Sequence, residues 1–311
     1  MTVRILEGDS RSVLATLPDA SVQTCVTSPP YFCLRDYGHE GQIGLEASPT
    51  AYVAEMVALF REVRRVLKDD GTLWLNLGDS YTGSANSGGA NQNNGGPLYR
   101  GETLPPNTFP GAKPKDLLGI PWRVAFALQS DGWYLRSDII WHKPNPMPES
   151  VTDRPTKAHE YVFLLTKSAR YFYDAGAIAE QAEPASADRY NYAFGGKKNE
   201  TLLESGQVHT RPIGEREYTG TRNARTVWSI TTKPFKGAHF ATMPPELARR
   251  CILAGSKPGD MVLDPFGGAG TTGLVADRLG RDATLIELNP TYAAMARERI
   301  TNGAPLFSEA A

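Results

Sequence analysis

Met261-Val262-Leu263-Asp264-Pro265-Phe266-Gly267-Gly268-Ala269-Gly270-Thr271-Thr272-Gly273 is the stretch on which the fold turns. A short apolar run gives way to a glycine-rich turn, and Leu274, Val275 and Leu279 then recur at helical spacing. Ala283-Thr284-Leu285-Ile286 reads as the next strand and ends at Glu287. Gly268, Gly270 and Gly273 match G-x-G-x-x-G between a strand and a helix, with an acid about twenty residues on. Glycines let a ligand approach the backbone, and an acid ending the second strand can take both hydroxyls of a ribose. Any adenosine-containing cofactor meets those terms, so a nicotinamide dinucleotide oxidoreductase is one reading. Asp264 favours another: a carboxylate at the end of the first strand repels a pyrophosphate and attracts an ammonium or a sulfonium.

Near the other end of the chain, the strand-like Val22-Gln23-Thr24-Cys25-Val26 runs into Thr27-Ser28-Pro29-Pro30-Tyr31. Two prolines fix φ and remove two donors, so the strand must stop there. The turn presents a hydroxyl, carbonyls and a ring, which suits a planar ligand bearing an exocyclic amine. A proline-stiffened strand exit without chemistry is the plainer alternative. Val3 to Leu6, a helix through Val13, Leu14 and Leu17, and the strand at Val22 form a βαβ unit and predict a parallel sheet. Asp9 follows the first strand, where open α/β sheets place ligand contacts, and it reads equally as a helix cap.

Between these motifs, Pro49 to Lys68 is amphipathic, with Val53, Val57, Phe60, Val63 and Leu67 on one face. Thr72 to Leu77 is a strand. Residues 81–115, rich in Gly, Asn, Ser and Pro, are too long for a simple connector and read as disorder or as a flap over a site. Asp116 to Ser130 is a helix, and Trp133 to Trp141 and Tyr161 to Thr166 are strands suited to an antiparallel pair. His159-Glu160 lacks the second histidine of a zinc helix motif, so no metal is expected. Across residues 175–238, Arg189, Lys197, Lys198, Arg211, Arg216, Arg222, Arg225, Lys233 and Lys236 mix with Tyr190, Tyr192, Phe194, Tyr218 and Trp228. Such a mixture binds phosphates and stacks on bases, or is an ordinary solvated insertion. Helices from Pro244 to Leu253 and from Pro290 to about Ile300 complete the chain.

The whole has 311 residues, 41% of them hydrophobic and 22% charged, with a net charge of −1. That is an ordinary globular composition, and a nucleic-acid binder of this charge needs a local basic face. No apolar run reaches bilayer length and Met1-Thr2-Val3-Arg4 lacks a signal-peptide pattern, so no membrane partner is expected and a cytoplasmic location is the default. Cys25, Cys33 and Cys251 have no metal-ligand spacing, and an odd number argues against a disulfide framework.

Taken together, Ser28-Pro29-Pro30-Tyr31 early and Asp264 to Thr272 late resemble the amino-methyltransferases of DNA in their permuted β arrangement. The resemblance implies an α/β, Rossmann-like sheet of seven mostly parallel strands with an antiparallel hairpin and flanking helices. Residues 1–174 and 239–311 would form the catalytic domain, and 175–238 a target-recognition insertion. It implies S-adenosyl-L-methionine as cofactor, held by Asp264, Phe266, Gly268, Gly270, Thr271 and Thr272, with Glu287 on the ribose. Asp9 would lie near the adenine amine, Phe240, Ala241 and Thr242 near the methionine part, and Asp116 to Trp122 beside the cofactor. Ser28, Pro29, Pro30 and Tyr31 would hold a nucleobase flipped from double-stranded DNA and direct its amine at the methyl group. Serine at the first motif position resembles the cytosine-N4 enzymes; adenine-N6 is the alternative. A homodimer and a restriction partner stay open.

Overall fold

The structure is a computed structural model, and it describes residues 2–82, 109, 111–182, 220–232 and 242–303. The expected flap falls largely at 83–108, outside the described residues, as do Phe240, Ala241 and most of the basic and aromatic side chains of the insertion. By internal packing the chain divides into two compact units, Met1–Asp174 with Thr226–Ala311, and Ala175–Arg225.

The larger unit is built on strands β1 (Val3–Glu7), β2 (Val22–Thr27), β3 (Leu67–Leu77), β4 (Tyr134–His142) and β5 (His159–Thr166). The smaller unit contains the antiparallel pair β6 (Glu180–Gln181) and β7 (Thr221–Arg222), with Glu180 paired to Arg222 and Arg225. Strands β8 (Val227–Ser229), β9 (Met261–Asp264) and β10 (Asp282–Glu287) return to the larger unit.

Among the described residues its sheet has eight strands, one more than the resemblance implies, in the order β1-β10-β9-β2-β3-β5-β4-β8. The extra one is β8, a three-residue edge strand parallel to β4. Trp228, grouped by composition with the insertion, is buried there against Trp74, so it is not free to stack on a base. Strands β1, β10, β9, β2 and β3 pair in parallel, and β5 alone is reversed, antiparallel to both β3 and β4. All six residues of β2 are buried, as a central parallel strand covered on both faces requires.

Helices α1 (Ser10–Leu14), α2 (Pro49–Val66) and α3 (Ile120–Ser130) cover one face. Tyr52, Met56, Leu59, Phe60 and Val63 of α2 and Val124 and Leu128 of α3 join Cys25, Leu73, Leu75 and Phe163 in one core cluster. Each of the larger side chains contributes on the order of 1.5–3 kcal/mol by leaving water. Helices α4 (Pro245–Gly255), α5 (Thr271–Arg278) and α6 (Pro290–Gly303) cover the other face. There Gly255 lies so close that an added Cβ would fall 2.6 Å from Thr24 Oγ1.

Two boundaries differ from the sequence expectation. Helix α2 stops at Val66 and the chain enters β3 at once, with an irregularity that lets residues 68–71 bow out between the Val22–Leu67 and Thr24–Thr72 pairings. Helix α3 starts at Ile120 instead of Asp116, because Gly119 at its N-cap takes φ +68, a left-handed conformation that interrupts the helix upstream. Among the described residues, no helix is long and apolar enough to cross a membrane, and no His/Cys/Asp/Glu group could hold a metal ion.

Candidate active site

Strands β9 and β2 are neighbours, yet the chain leaves β9 toward β10 on one side and β2 toward β3 on the other. Such a switch point opens a crevice at the carboxyl ends of the strands. The two sequence motifs end there side by side. Thr27 Oγ1 donates to Asp264 Oδ1 at 2.7 Å, Thr272 Oγ1 donates to Asp264 Oδ2 at 2.7 Å, and the Phe266 N–H donates to Asp264 Oδ1 at 3.0 Å. Burial pushes the Asp264 carboxyl above its usual value, and these three donors pull it back. Asp264 therefore braces the serine-proline turn against the glycine loop. The sequence marks Asp264 as a ligand-facing carboxylate but carries no signal for Thr27 as its partner.

The three motif glycines have different duties. Gly270, with φ +76, is the N-cap of α5, and an added Cβ there would lie 2.8 Å from that of Ala296. At Gly273 it would lie 2.7 Å from Leu285 Cδ1. Both are packing glycines. Gly268, with φ +50, has only a carbonyl oxygen at 3.9 Å in that direction, so it leaves room for a ligand. Its N–H donates to Glu287 Oε2 at 2.7 Å, and Asn289 N–H donates to Glu287 Oε1 at 2.8 Å. Burial raises the Glu287 carboxyl, against those two amides. A half-buried acid beside an open glycine fits a ribose-bearing cofactor.

The other expected cofactor contacts lie as follows. Thr271 Oγ1 accepts from Arg299 at 2.9 Å and is buried, while Phe266 packs against the core. Asp9 caps α1 by accepting from Arg11 N–H at 2.8 Å and pairs with the Arg11 guanidinium at 2.6 Å, which holds its carboxyl below the usual value. Next to it, Ser10 Oγ donates to the Pro265 carbonyl and ties α1 to the glycine loop. Thr242 is half-buried just ahead of α4. The Asp116 to Trp122 segment bonds to the chain leaving β3, through Thr82 N–H to the Asp116 carbonyl (2.9 Å) and Ile120 N–H to Asp79 Oδ1 (2.9 Å).

At the serine-proline turn, Tyr52 Oη donates to the Pro30 carbonyl at 2.9 Å, so that carbonyl is occupied. Among the described residues no donor meets the Pro29 carbonyl. The Tyr31 ring packs on Gly78, where an added Cβ would come within 2.5 Å of ring Cε2. Tyr31 Oη donates to Glu160 Oε2 at 2.6 Å and receives the Ser28 hydroxyl at 3.3 Å. Asn76 Nδ2 donates to the same Glu160 oxygen at 3.1 Å, and Lys143 pairs with Glu160 Oε1. Asn76, Gly78, Glu160 and Lys143 were not among the expected site residues. The signal was there: Asn76 is the one polar residue between Leu73 and Leu77, and it is buried.

Comparison with known proteins agrees with this geometry. The family model for DNA methylase, of the N6/N4 methyltransferase type, matches residues 22–298. The type II methyltransferase M.Cfr9I of Citrobacter freundii is 51% identical over 296 residues, covering 95% of this chain and 87% of that protein. The type II methyltransferase M.SmaI of Serratia marcescens is 48% identical over 299 residues, covering 96% and 90%. Among solved structures, TTHA0409 of Thermus thermophilus complexed with S-adenosyl-L-methionine is 27% identical, covers 99% of this chain and 98% of that one, and gives a TM-score of 0.60. The PvuII DNA methyltransferase (cytosine-N4-specific), 20% identical, covers 97% of this chain and 92% of that one with a TM-score of 0.63, a likeness of fold. The nicotinamide reading falls away, because this chain belongs to the N6/N4 family of DNA methylases and is an S-adenosylmethionine-dependent amino-methyltransferase of DNA.

Proposed function

We propose that the chain methylates the exocyclic N4 amine of cytosine in duplex DNA, with the base swung out of the helix into the crevice beside β2. The observation that carries this reading is the Thr27–Asp264 hydrogen bond, which joins the turn that would hold the base to the loop that would hold the cofactor. S-adenosylmethionine, when bound, supplies the methyl group as a reactive sulfonium. Glu287 and the Gly268 backbone would hold its ribose end, and Asp264 would keep the loop in register with the turn.

The remaining work falls to the turn. Ser28 Oγ and the Pro29 carbonyl would accept the two N–H bonds of the amine and direct its lone pair at the methyl carbon. Tyr31, pinned on Gly78, would stack on the extruded ring. Positioning of this kind can supply most of the acceleration when the electrophile is already activated. Burial pushes the Cys33 thiol up to about 11 and holds the Cys25 thiol well above its usual value, so neither is primed as a thiolate for attack on a ring carbon. Serine at position 28 is the feature that favours cytosine over adenine.

Base-resolution modification mapping of DNA from cells expressing the chain tests the reading. N4-methylcytosine in a fixed sequence context supports it; N6-methyladenine overturns the choice of base. Ser28→Ala should abolish the mark and spare DNA binding, and a retained mark would remove Ser28 from the mechanism.

A further inference from the structure

We propose that Glu160 is a positioning residue that sets the direction of the hydroxyl chain Ser28–Tyr31 and so leaves the Ser28 lone pairs facing the amine. This rests on the reading that Ser28 receives the amine.

The topology brings the carboxylate to the turn. Because β5 is the reversed strand, its first residues, His159 and Glu160, stand at the edge where β2 and β3 end. Every other strand of the sheet has its amino end on the far side. Glu160 is little exposed, paired with Lys143, and receives Asn76 Nδ2. An ionised carboxylate only accepts hydrogen bonds.

The consequence follows along the chain of donors. The single Tyr31 proton has two acceptors in reach, Glu160 Oε2 at 2.6 Å and Asn76 Oδ1 at 3.2 Å, and it goes to the nearer, charged one. Its phenol stays protonated, since burial and the neighbouring carboxylate push it well above its usual range. The Tyr31 oxygen can then offer only lone pairs to Ser28, whose proton is drawn to it at 3.3 Å. With that proton turned away, the Ser28 oxygen is an acceptor toward the crevice, which is what an amine needs. Glutamine at position 160 would break the logic. Its amide can donate to Tyr31, the phenol proton is then divided between Asn76 Oδ1 at 3.2 Å and Ser28 Oγ at 3.3 Å, and whenever it takes Ser28 the serine can point its own proton at the base.

The test is single-turnover transfer of labelled methyl from S-adenosylmethionine to unmethylated plasmid DNA, with the full chain. Glu160→Gln should lower the rate about tenfold, the scale of one misdirected hydrogen bond. Apparent KM for cofactor and DNA should stay within about twofold of wild type. Tyr31→Phe keeps the ring and removes the hydroxyl, so it should lose a similar factor. The double variant should be no slower than the slower single, because both cut one chain. Glu160→Asp retains the charge and should recover part of the rate; it serves also if the glutamine variant folds poorly.

A Glu160→Gln rate equal to wild type, or a double variant slowed by the product of the single effects, overturns the proposal. A purely structural role gives that product and moves KM as well. If the wild-type chain transfers no methyl to DNA, the underlying reading fails and takes this one with it. A wild-type chain that is active beside an unaffected Glu160→Gln sinks only the role of Glu160.

Discussion

Thr27 and Asp264 stand 237 positions apart in the chain and share a buried hydrogen bond of 2.7 Å. One residue precedes the serine-proline turn, and the other opens the glycine loop. Replacing Thr27 with valine keeps the shape and removes the donor, so a buried carboxylate loses one of three partners. The cost should be about 1–3 kcal/mol in urea unfolding. Activity should fall further than cofactor affinity, because the turn loses its registration while the loop keeps Thr272. An unchanged unfolding free energy would show that the carboxylate needs only two partners.

Asp264→Asn makes the complementary case. The asparagine oxygen can still accept from Thr27 and Phe266, and its amide can donate to Thr272, whose hydroxyl already lies 3.4 Å from the Val26 carbonyl. Stability should therefore change by less than about 1 kcal/mol, with the desolvation cost of the charge removed. Titration calorimetry with S-adenosylmethionine then isolates the charge. Weaker binding assigns the carboxylate a direct electrostatic role, and unchanged binding leaves it a brace alone.

The glycines should separate in the same way. At Gly270 an alanine methyl meets Ala296 at 2.8 Å in a left-handed conformation, so Gly270→Ala should cost several kcal/mol, on the order of a core overpacking plus backbone strain. At Gly268 only the left-handed penalty applies, roughly 1–2 kcal/mol. The milder variant should nonetheless bind S-adenosylmethionine worse, because its methyl occupies the open side of the loop. Thermal unfolding and calorimetry on both variants check the pair.

Much of this was legible in the sequence because it is written in local chemistry. The glycine spacing, the paired prolines and the apolar strands each specify a backbone shape. The antiparallel β4–β5 pair is visible in the same way. What stayed hidden depends on contacts between distant segments. Thr27 looks like any strand residue until Asp264 arrives beside it, and Glu160 looks like a loop acid until the reversed β5 carries it to Tyr31. Strand β8 was lost because three residues make no pattern.

Two acids of the crevice, the buried Asp264 and the half-buried Glu287, predict a pH dependence of stability. Glu287 is raised above 4.5 and Asp264 above 3.8, both by burial. An acid with a raised folded value binds its proton more tightly in the native chain than in the unfolded one. Its contribution is then most favourable below the unfolded value and declines as pH climbs through the folded one. Asp9, lowered by Arg11, has the opposite sign: its contribution is present above 3.8 and is lost as pH falls through the folded value. Glu287→Gln removes one titration, so the unfolding free energy of wild type minus variant should slope downward as pH rises above about 4.5. A flat difference would mean that Glu287 titrates alike in both states.

Gly78 offers the sharpest separation of the base site from the cofactor site. It follows directly on β3, and an alanine methyl there would fall 2.5 Å from Tyr31 Cε2 and 2.8 Å from Cδ2. No real side chain tolerates that approach, so the ring must tilt, and its Oη is then drawn away from Glu160. The glycine loop and Glu287 lie across β2 and are untouched by the change. Gly78→Ala should therefore bind S-adenosylmethionine as wild type does while losing at least about tenfold in single-turnover methyl transfer, the price of a small misplacement at a reacting centre. Equal loss of cofactor affinity would mean that the two halves of the crevice are mechanically coupled through Thr27, and would make the hydrogen bond to Asp264 a transmitter as well as a brace.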